Sequence, residues 1–356
     1  MRVLIVVRPD AARRLGGDAV VAERAAAALR ARGVEVDVVA TLAPDAAGYD
    51  VAHVYGIFDP DIAEPQLDAL GRAGVPLVVS PVWWDRTALF RLGPLLARAL
   101  AARRSGAVEQ HIARLRHDEA ELVRKPGRGA RRHLARQAAL LRRADVAFTG
   151  SIIEEFACAR ILGVDSLPYV VAPYGLDDAA FGDTPGAVRS GVVCVGRIEP
   201  LKNQALLLFA LRDLDVDITL VGASYDADYG RLCRRLATPR TRFVEGMPHD
   251  ELAALLQRTA VHVLPSWGDL PGFVSLEAAA RGARVVAGAR GSEREYLGPD
   301  VTYVDPLDPS AIREAVERAL GRPRTRGDAL DQRLRALRWE TYAERSVDAY
   351  TRALDA

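Results

Sequence analysis

The sequence predicts an α/β protein built from two doubly wound domains with parallel sheets. Short apolar, β-branched runs alternate with alanine- and leucine-rich stretches of helical length along most of the 356 residues. Uninterrupted apolar strands separated by helices are typical of parallel sheets that are covered on both faces. A chain of this length corresponds to about two domains. The alternation falls into two sets, which meet at a segment rich in Pro, Gly and Asp at 172–186.

Each set contains predicted strands and helices in alternation. The strands expected in the first half are 3–7, 34–39, 51–54, 77–79, 146–149 and 169–172. Those expected in the second half are 192–195, 218–221, 242–245, 261–264, 285–287 and 302–304. The helices expected with them are 18–32, 151–162, 203–212, 250–257, 273–281 and 310–320. We therefore expect an N-terminal domain at 1–174 and a C-terminal domain at 175–338.

Composition excludes several classes of protein. Lys and Arg number 48 against 47 Asp and Glu, so the net charge of +1 does not suggest a nucleic-acid-binding surface. Cys158, Cys194 and Cys233 are widely spaced and form no CxxC pair, which indicates neither a zinc site nor a disulfide framework. No run approaches the roughly 18 apolar residues of a transmembrane helix. The apolar start at 3–7 is too short for a signal peptide, so we expect a cytoplasmic protein.

The segment 86–143 interrupts the alternation. It is longer than a usual crossover, and its 15 basic and four acidic residues give it a net charge of +11. Apolar and basic positions recur in it at helical spacing. A basic amphipathic segment of this kind suits an anionic membrane surface, so peripheral association with the inner membrane face is one expectation. The other is a solvated helical pair whose arginines keep it soluble.

The first candidate site residues follow the predicted strand 192–195. This strand ends at Gly196, and Arg197 and Lys202 flank the turn into the next helix. Doubly wound sheets bind ligands at the carboxyl ends of their strands. Two fixed cations at that position suit a dianion such as a diphosphate. Lys202 is one of two lysines among 48 basic residues, which favours a specific role for its compact ammonium.

The second candidate group follows the predicted strand 261–264. A glycine-containing loop leads into a helix near Phe273, whose N-terminus offers unpaired N–H groups to phosphate or sugar oxygens. Seven residues separate Asp269 from Glu277, which lies one turn into that helix and could bind a vicinal diol such as a ribose. A helix-dipole role would explain Glu277 alone but not the spacing. The turn 288–295 lies on the same rim.

These blocks resemble the retaining nucleotide-sugar glycosyltransferases of family four, which have the GT-B fold. Residues 195–204 resemble the diphosphate turn of that family, and 269–277 resemble its Glu-x7-Glu motif, with Asp in the first position. Residues 243–252 resemble the segment that passes the nucleotide base. In the first half the resemblance includes the Gly pair before the first helix and 170–177. It implies two Rossmann-like domains facing a cleft, with a helix at 339–356 that crosses back to the first domain.

The resemblance also implies a reaction, the transfer of a sugar from an NDP-sugar with retention at the anomeric carbon. Arg197 and Lys202 would neutralise the charge that develops on the diphosphate, so neither a divalent metal nor another cofactor is expected. Asp269 would act with them on the donor sugar. The residues implied for donor binding are Glu277, Gly272, Phe273, Val274, Met247 and Glu245. The residues implied on the acceptor side are Gly16, Gly17, His53, Trp84 and Asp85.

The sequence departs from the family pattern in two places. The loop after the strand 77–79 lacks the histidine that the family commonly has there, and Asp269 is one methylene shorter than Glu. We expect a lipid-linked or surface-glycan acceptor. A non-hydrolysing sugar-nucleotide epimerase and a GT-B subunit that binds nucleotide-sugar without turnover stay open as alternatives. A nicotinamide dehydrogenase is disfavoured because no Gly-x-Gly-x-x-Gly follows the first strand. The two-acid patterns at 59–61 and 215–217 are not assigned to metal.

Overall fold

The computed structural model describes residues 1–11, 17–102, 105–124, 127–182, 188–321 and 327–356. The chain divides into two compact units. The first comprises Met1–Asp85, Pro126–Gly175 and Leu337–Ala356, and the second comprises Arg86–Lys125 and Leu176–Ala336. The change of unit at Gly175 lies one residue from the expected boundary.

The described residues form strands and α-helices in the following order. The strands are β1 (Arg2–Val7), β2 (Glu35–Ala40), β3 (Val51–Tyr55), β4 (Leu77–Ser80), β5 (Val146–Thr149), β6 (Tyr169–Val171), β7 (Ser190–Val195), β8 (Ile218–Val221), β9 (Thr241–Val244), β10 (Thr259–Leu264), β11 (Arg284–Gly288) and β12 (Thr302–Val304). The helices are α1 (Gly17–Ala31), α2 (Pro60–Ala73), α3 (Thr87–Ala101), α4 (Ser105–Arg124), α5 (Arg128–Leu141), α6 (Ile152–Arg160), α7 (Gln204–Ala210), α8 (Ala227–Leu236), α9 (His249–Arg258), α10 (Phe273–Ala280), α11 (Glu293–Leu297), α12 (Pro309–Gly321), α13 (Asp328–Arg335) and α14 (Trp339–Leu354).

Each unit contains a parallel six-stranded sheet. The strand order is β2-β1-β3-β4-β5-β6 in the first unit and β12-β11-β10-β7-β8-β9 in the second. The predicted strands are all present, each within two residues of its expected bounds. The central strands are buried along their whole length, as in β3, β4 and β10, because helices cover both faces of each sheet.

The second sheet brings three loops to one edge. β11, β10 and β7 are neighbours and run parallel, so the segments that follow their carboxyl ends lie side by side. All seven residues of α7, which follows β7, are buried and hold the turn before that helix in place. This edge contains the two candidate groups of the second half.

The basic segment 86–143 does not pack as a single excursion of the first domain. α3 and α4 belong to the second unit, where α3 contacts α7, α8 and the 3-10 turn Pro200–Lys202. α5 belongs to the first unit and packs against α2. The assignment of the whole segment to the N-terminal domain is therefore corrected for Arg86–Lys125. The periodicity showed an apolar face on these helices but not the surface that each face covers.

The C-terminal helix α14 packs on the first unit, as the resemblance implied. It contacts α1 and the strands β3 to β6. The hydroxyl groups of Tyr342 and Tyr55 lie 2.9 Å apart, and both side chains are buried. The chain thus leaves the second unit after α13 and completes the first one. None of the described helices is both long and apolar enough to span a membrane.

Candidate functional site

A buried ion pair joins two of the three loops at the edge of the second sheet. The ammonium Nζ of Lys202 donates to Oδ1 of Asp269, and the two side chains are 15% and 11% exposed. Lys202 ends the 3-10 turn after β7, and Asp269 lies in the loop after β10. The aliphatic part of the Lys202 side chain packs against Gly196. A Cβ added to Gly196 would lie 3.5 Å from Cγ of Lys202. The structure thus brings together two residues that the sequence singled out separately.

Backbone contacts fix the turn that carries Lys202. Asn203, the next residue, has a left-handed backbone with φ of 60° and is buried. Its side-chain amide donates to the carbonyls of Pro265, at 3.1 Å, and Pro306, at 2.8 Å. Because these carbonyls follow β10 and β12, one buried amide ties three loops together. Lys202 is therefore held by packing and hydrogen bonds rather than presented on a free loop.

Two arginines lie near this pair. Arg197 donates from Nε and Nη2 to Oε1 of Glu199, at 3.2 and 2.9 Å, and its side chain is 38% exposed. Arg86 directly precedes α3, the helix that packs against the turn of Lys202. Burial lowers the pKa of Arg86 to about 9, with Glu199 and Asp269 opposing this and Arg197 adding to it. Arg86 therefore stays charged at neutral pH. It is a third cation that the sequence analysis missed.

Asp269 and the start of α10 form the second part of the site. The other carboxylate oxygen of Asp269, Oδ2, is buried and has no hydrogen-bond partner in the described part of the chain. Gly272, with φ of 77°, directly precedes Phe273 and Val274 at the helix N-terminus. A side chain at Gly272 would meet Glu293 Cγ at 3.2 Å and would be strained by the positive φ. Glycine is thus required at this close approach.

Glu277 lies one turn further into α10. Burial raises the pKa of its carboxyl, while His249 and Arg281 oppose the increase and Asp177 adds to it. Among the described residues, none donates a hydrogen bond or forms an ion pair with this carboxylate. Its acceptor oxygens are therefore available to donors outside the chain.

The two residues assigned to the base-binding segment lie further along the same sheet. Glu245 and Met247 follow β9, which is the edge strand two positions from β7. Glu245 is 85% exposed and lies 3.7 Å from the guanidinium of Arg234, and Met247 is half-buried. No contact among the described residues links either one to Lys202 or Asp269, so their role stays a prediction.

Two of the predicted acceptor-side residues, Gly16 and Gly17, come early in the sequence. Gly16 lies outside the described residues. Gly17 is the first residue of α1, and the carboxylate of Asp18 next to it accepts a hydrogen bond from Nε of Arg8 at 2.8 Å.

The structure places His53 in the core of the first unit. It is fully buried in β3, and its ring nitrogens lie 2.9 Å from the hydroxyls of Tyr350 and Ser80. Burial lowers its pKa to about 3, so the ring is neutral. The expectation that His53 faces an acceptor is therefore corrected, because both nitrogens are already engaged in holding α14 and β4.

The loop after β4 contains two tryptophans, of which Trp83 is buried and Trp84 is half-buried. Val82 has a left-handed φ of 48°, which is rare for a β-branched residue. Trp83 is buried, and its indole Nε1 donates to Gln137 at 2.9 Å. Trp84 is half-buried and stacks on Phe58, with ring centroids 6.2 Å apart. Asp85, also half-buried, is the last residue of this stretch of the first unit.

A buried carboxylate that the sequence analysis missed supports this loop. Glu154 in α6 is 1% exposed. Its Oε1 accepts from the backbone N–H of Trp83 at 2.9 Å, and its Oε2 accepts from that of Gly150 at 2.8 Å. Ser151 Oγ in turn accepts from the backbone N–H of Glu154 at 3.0 Å. Glu154 therefore joins the loops after β4 and β5.

The two-acid patterns have structural roles. Asp59 caps α2 by accepting from the backbone N–H of Asp61 at 3.1 Å. Asp215 and Asp217 both bind the guanidinium of Arg240, at 2.5 and 2.9 Å. Across the described ranges, His, Cys, Asp and Glu side chains form no group of three that could hold a metal ion.

Comparison with known proteins finds a family similarity over the part of the chain that carries the site. Residues 189–322, which include Arg197, Lys202, Asp269 and Glu277, match the family model described as glycosyl transferases group 1. The chain carries a group 1 glycosyl transferase domain. The fold is GT-B, with the group 1 domain forming most of the second unit.

Curated proteins of similar sequence are named as glycosyltransferases. The chain is 28% identical over 237 residues to the MMP alpha-(1->4)-mannosyltransferase of Mycolicibacterium hassiacum. The matched region covers 63% of this chain and 56% of that relative. It is 31% identical over 204 residues to the D-inositol 3-phosphate glycosyltransferase of Kribbella flavida. That match covers 50% of this chain and 48% of the relative. The chain thus spans about half the length of the curated relatives that it matches.

Solved structures share the fold over the whole chain. The sucrose-phosphate synthase of Thermosynechococcus elongatus superimposes with a TM-score of 0.74 and 19% identity, covering 100% of both chains. At this identity the similarity establishes the GT-B fold of the chain that carries the group 1 domain.

Proposed function

We propose that the protein transfers a sugar from a nucleoside diphosphate sugar to an acceptor hydroxyl with retention of anomeric configuration. The observation that carries the proposal is the buried pair of Lys202 and Asp269, at the carboxyl ends of neighbouring strands in a group 1 glycosyl transferase domain. The mannosyltransferase and inositol-phosphate glycosyltransferase relatives support the same class of reaction.

In this proposal Lys202, Arg197 and Arg86 bind the diphosphate. An ammonium has three N–H donors, so Lys202 can bond Asp269 and still donate to a phosphate oxygen. When the bond from the anomeric carbon to the β-phosphate oxygen breaks, the electron pair stays on that oxygen. Preorganised cations stabilise this developing charge more than they stabilise the bound donor. The three side chains therefore lower the barrier to sugar transfer.

The start of α10 binds the sugar. Asp269 Oδ2 accepts from a sugar hydroxyl, and the backbone N–H groups of Gly272, Phe273 and Val274 face its oxygens, with the positive end of the helix dipole behind them. Retention places the acceptor oxygen on the face that the leaving oxygen departs from. The acceptor proton can therefore pass to the departing β-phosphate oxygen as the new bond to the anomeric carbon forms. This route needs no separate protein base.

Glu277 binds the ribose, and the segment after β9 lies beside the base. The free, half-buried carboxylate of Glu277 can accept hydrogen bonds from both hydroxyls of a vicinal diol. Met247 offers an apolar surface to the base, and Glu245 a polar one. We propose that the reaction is independent of divalent metal, because the three cations supply the positive charge that a metal would otherwise provide.

For the acceptor we propose a hydroxyl of a lipid-linked sugar or a surface glycan. The support is the net charge of +11 at 86–143. The apolar faces of α3 and α5 are buried, so any contact with an anionic membrane uses the exposed arginines rather than inserted apolar side chains. The protein then acts as a peripheral protein on the cytoplasmic membrane face.

Donor turnover tests the proposal. The protein is incubated with UDP-glucose, ADP-glucose and GDP-mannose, and release of nucleoside diphosphate is followed, with NMR of the first sugar anomer released. We expect turnover of at least one donor with the α-anomer formed first. Binding of a nucleotide with no turnover of any donor or acceptor would instead identify a nucleotide-sugar-binding subunit. An inverted first anomer would contradict retention.

A further inference from the structure

Glu293 is a buried carboxylate that no part of the proposed reaction uses. It is the first residue of α11, in the segment after β11, and is 1% exposed. Both carboxylate oxygens are buried, and neither has a hydrogen-bond partner in the described part of the chain. Burying an acid without a partner is strongly unfavourable if the acid is charged. Buried polar groups are otherwise almost always paired, so this one requires an explanation.

Glu293 lies beside the sugar end of the proposed donor site. The Cβ position of Gly272 is 3.5 Å from Asp269 Cβ and 3.8 Å from Glu293 Oε1, so the two acids flank the same glycine. The backbone N–H of Ser292 donates to the carbonyl of Asp269 at 2.9 Å and holds the two segments together. Asp269 Oδ2, the other unpartnered carboxylate oxygen here, belongs to the same cluster.

The charges around the cluster do not balance if both acids are ionised. Lys202 pairs with Asp269 and is the cation with the largest influence on Glu293. Tyr303 in β12 also interacts with Glu293. Burial raises the pKa of Tyr303, so its side chain is neutral. Burial and the charge of Asp269 raise the pKa of Glu293 well above its usual value, while the nearby backbone N–H groups of Glu293 and Asp269 and the charge of Lys202 oppose the increase. This shift favours the neutral carboxylic acid, which has one O–H donor and acceptor capacity left.

We propose that Glu293 is a second acidic contact to the transferred sugar, opposite Asp269 across Gly272, and that it selects donors bearing a hydroxyl at the contacted carbon. This inference rests on the proposed function and names an additional residue of its donor site. A neutral acid can donate to one sugar oxygen and accept from a sugar hydroxyl, whereas a carboxylate can only accept. A deoxy sugar would leave both buried groups unpaired, which is the arrangement that discriminates most strongly between substrates.

The close approach of Gly291 supports a fixed position for Glu293. A Cβ on Gly291 would overlap the Glu293 carboxylate and the Asp269 backbone, at 2.1 Å from Oε2 and 2.4 Å from the Asp269 nitrogen. The glycine allows the segment after β11 to pack directly on the loop after β10. The carboxyl of Glu293 is therefore held against the donor-binding loop rather than turned towards solvent.

The test compares affinity for a nucleotide with affinity for the same nucleotide carrying a sugar. Calorimetry is run with UDP and UDP-glucose, ADP and ADP-glucose, and GDP and GDP-mannose, and the pair that the wild type binds is used for the variants. We expect Glu293→Leu to bind the bare nucleotide within about twofold of wild type. We expect it to lose about tenfold or more in the preference for the sugar nucleotide. Glu293→Gln, which mimics the neutral acid, should keep most of that preference.

The outcomes separate the inference from the proposed function. If the wild type binds none of the three pairs, the proposed function is wrong and the inference falls with it. If the wild type binds a pair and Glu293→Leu keeps the full preference for the sugar nucleotide, the inference alone is overturned. An equal loss for nucleotide and sugar nucleotide would also overturn it, since that result indicates a structural role. If Glu293→Leu does not fold, a loss of sugar preference in Glu293→Gln equal to that in Glu293→Ala would contradict the neutral-acid contact.

Discussion

Lys202 and Asp269 are separated by 66 residues of chain and meet in a buried ion pair that joins the turn after β7 to the loop after β10. In the proposed function, this contact positions Lys202 for a phosphate and Asp269 for a sugar. Removing one partner of such a pair leaves the other charge buried and uncompensated. The functional predictions below follow from this arrangement and from the residues around it.

Turnover should not depend on a divalent metal. Arg197, Lys202 and Arg86 provide three positive charges near the expected diphosphate position. Donor hydrolysis should therefore proceed at an unchanged rate after exhaustive treatment with EDTA. The control is the same preparation after addition of Mg²⁺ or Mn²⁺. Activity that EDTA abolishes and either metal restores would show that the cations do not suffice.

Replacing Glu277 by Ala should weaken donor binding more than it slows the chemical step. The ribose is distant from the bond that breaks, so its contacts are similar in the ground state and the transition state. Loss of hydrogen bonds to a charged acceptor should raise KM by about 10- to 100-fold, with kcat changed much less. Steady-state kinetics with varied donor measure both constants. A fall in kcat with KM unchanged would place Glu277 elsewhere.

The buried Glu293 should make the folded state less stable as the pH rises. Its pKa in the folded state is raised by burial and by Asp269, whereas in the unfolded chain it is about 4.3. Above that pH the unfolded chain releases the proton and the folded protein retains it, so the free energy of unfolding falls as the pH rises towards the folded pKa. Glu293→Gln cannot titrate and should lack this component.

Urea unfolding at pH 4.5, 6 and 7.5 measures the effect. The stability of Glu293→Gln relative to wild type should increase with each step in pH. Glu277, whose pKa is also raised by burial, titrates in both proteins, and its contribution cancels in the difference. A difference that stays constant from pH 4.5 to 7.5 would mean that Glu293 is ionised in the folded protein.

Exposed arginines on α5 should support binding to anionic lipid. Arg128, Arg131 and Arg132 are exposed, and each basic residue at an anionic surface contributes about 1 kcal/mol at moderate salt. Changing all three to Ala should weaken binding to phosphatidylserine vesicles by on the order of tenfold or more. Co-sedimentation at low and high salt measures the effect, and binding should weaken as salt increases.

A charge-matched triple variant controls for net charge. Arg318, Arg335 and Arg352 lie on other helices, and each is paired with an acid four residues earlier. Their replacement by Ala lowers the net charge equally and should leave vesicle binding close to that of the wild type. Equal binding of the wild type to neutral and anionic vesicles would contradict a specific electrostatic surface.

The sequence predicts the sheets well because their strands are locally encoded. β5 and β8 have the expected bounds, since a short, β-branched and largely apolar run can be recognised without knowledge of its neighbours. The helix α8 was not predicted, because its ten residues include a glycine and four charged side chains. The packing of α3 on the second unit was also not predicted, because periodicity identifies an apolar face but not its partner.

The residues of the candidate site were also predicted only in part from the sequence. Lys202, Asp269 and Glu277 could be identified from their positions after strands and at a helix start. Arg86 could not, because it is one arginine among 46 and its proximity to the turn after β7 is a tertiary contact. Glu293 at the start of a short helix has the pattern of an acid that stabilises the helix dipole. Its burial, which gives it a different role, depends on the loop after β10.

Kinetics of Lys202→Ala test the central claim most directly. If Lys202 stabilises the departing diphosphate, the loss falls mainly on the transition state, and kcat should decrease by about 10²- to 10³-fold with a smaller change in KM. Arg240→Ala, which removes a surface cation paired with Asp215 and Asp217, is the control and should match the wild type. Circular dichroism verifies that both variants are folded. A kcat for Lys202→Ala within about twofold of wild type, roughly 0.4 kcal/mol in activation free energy, would contradict the assigned donor site.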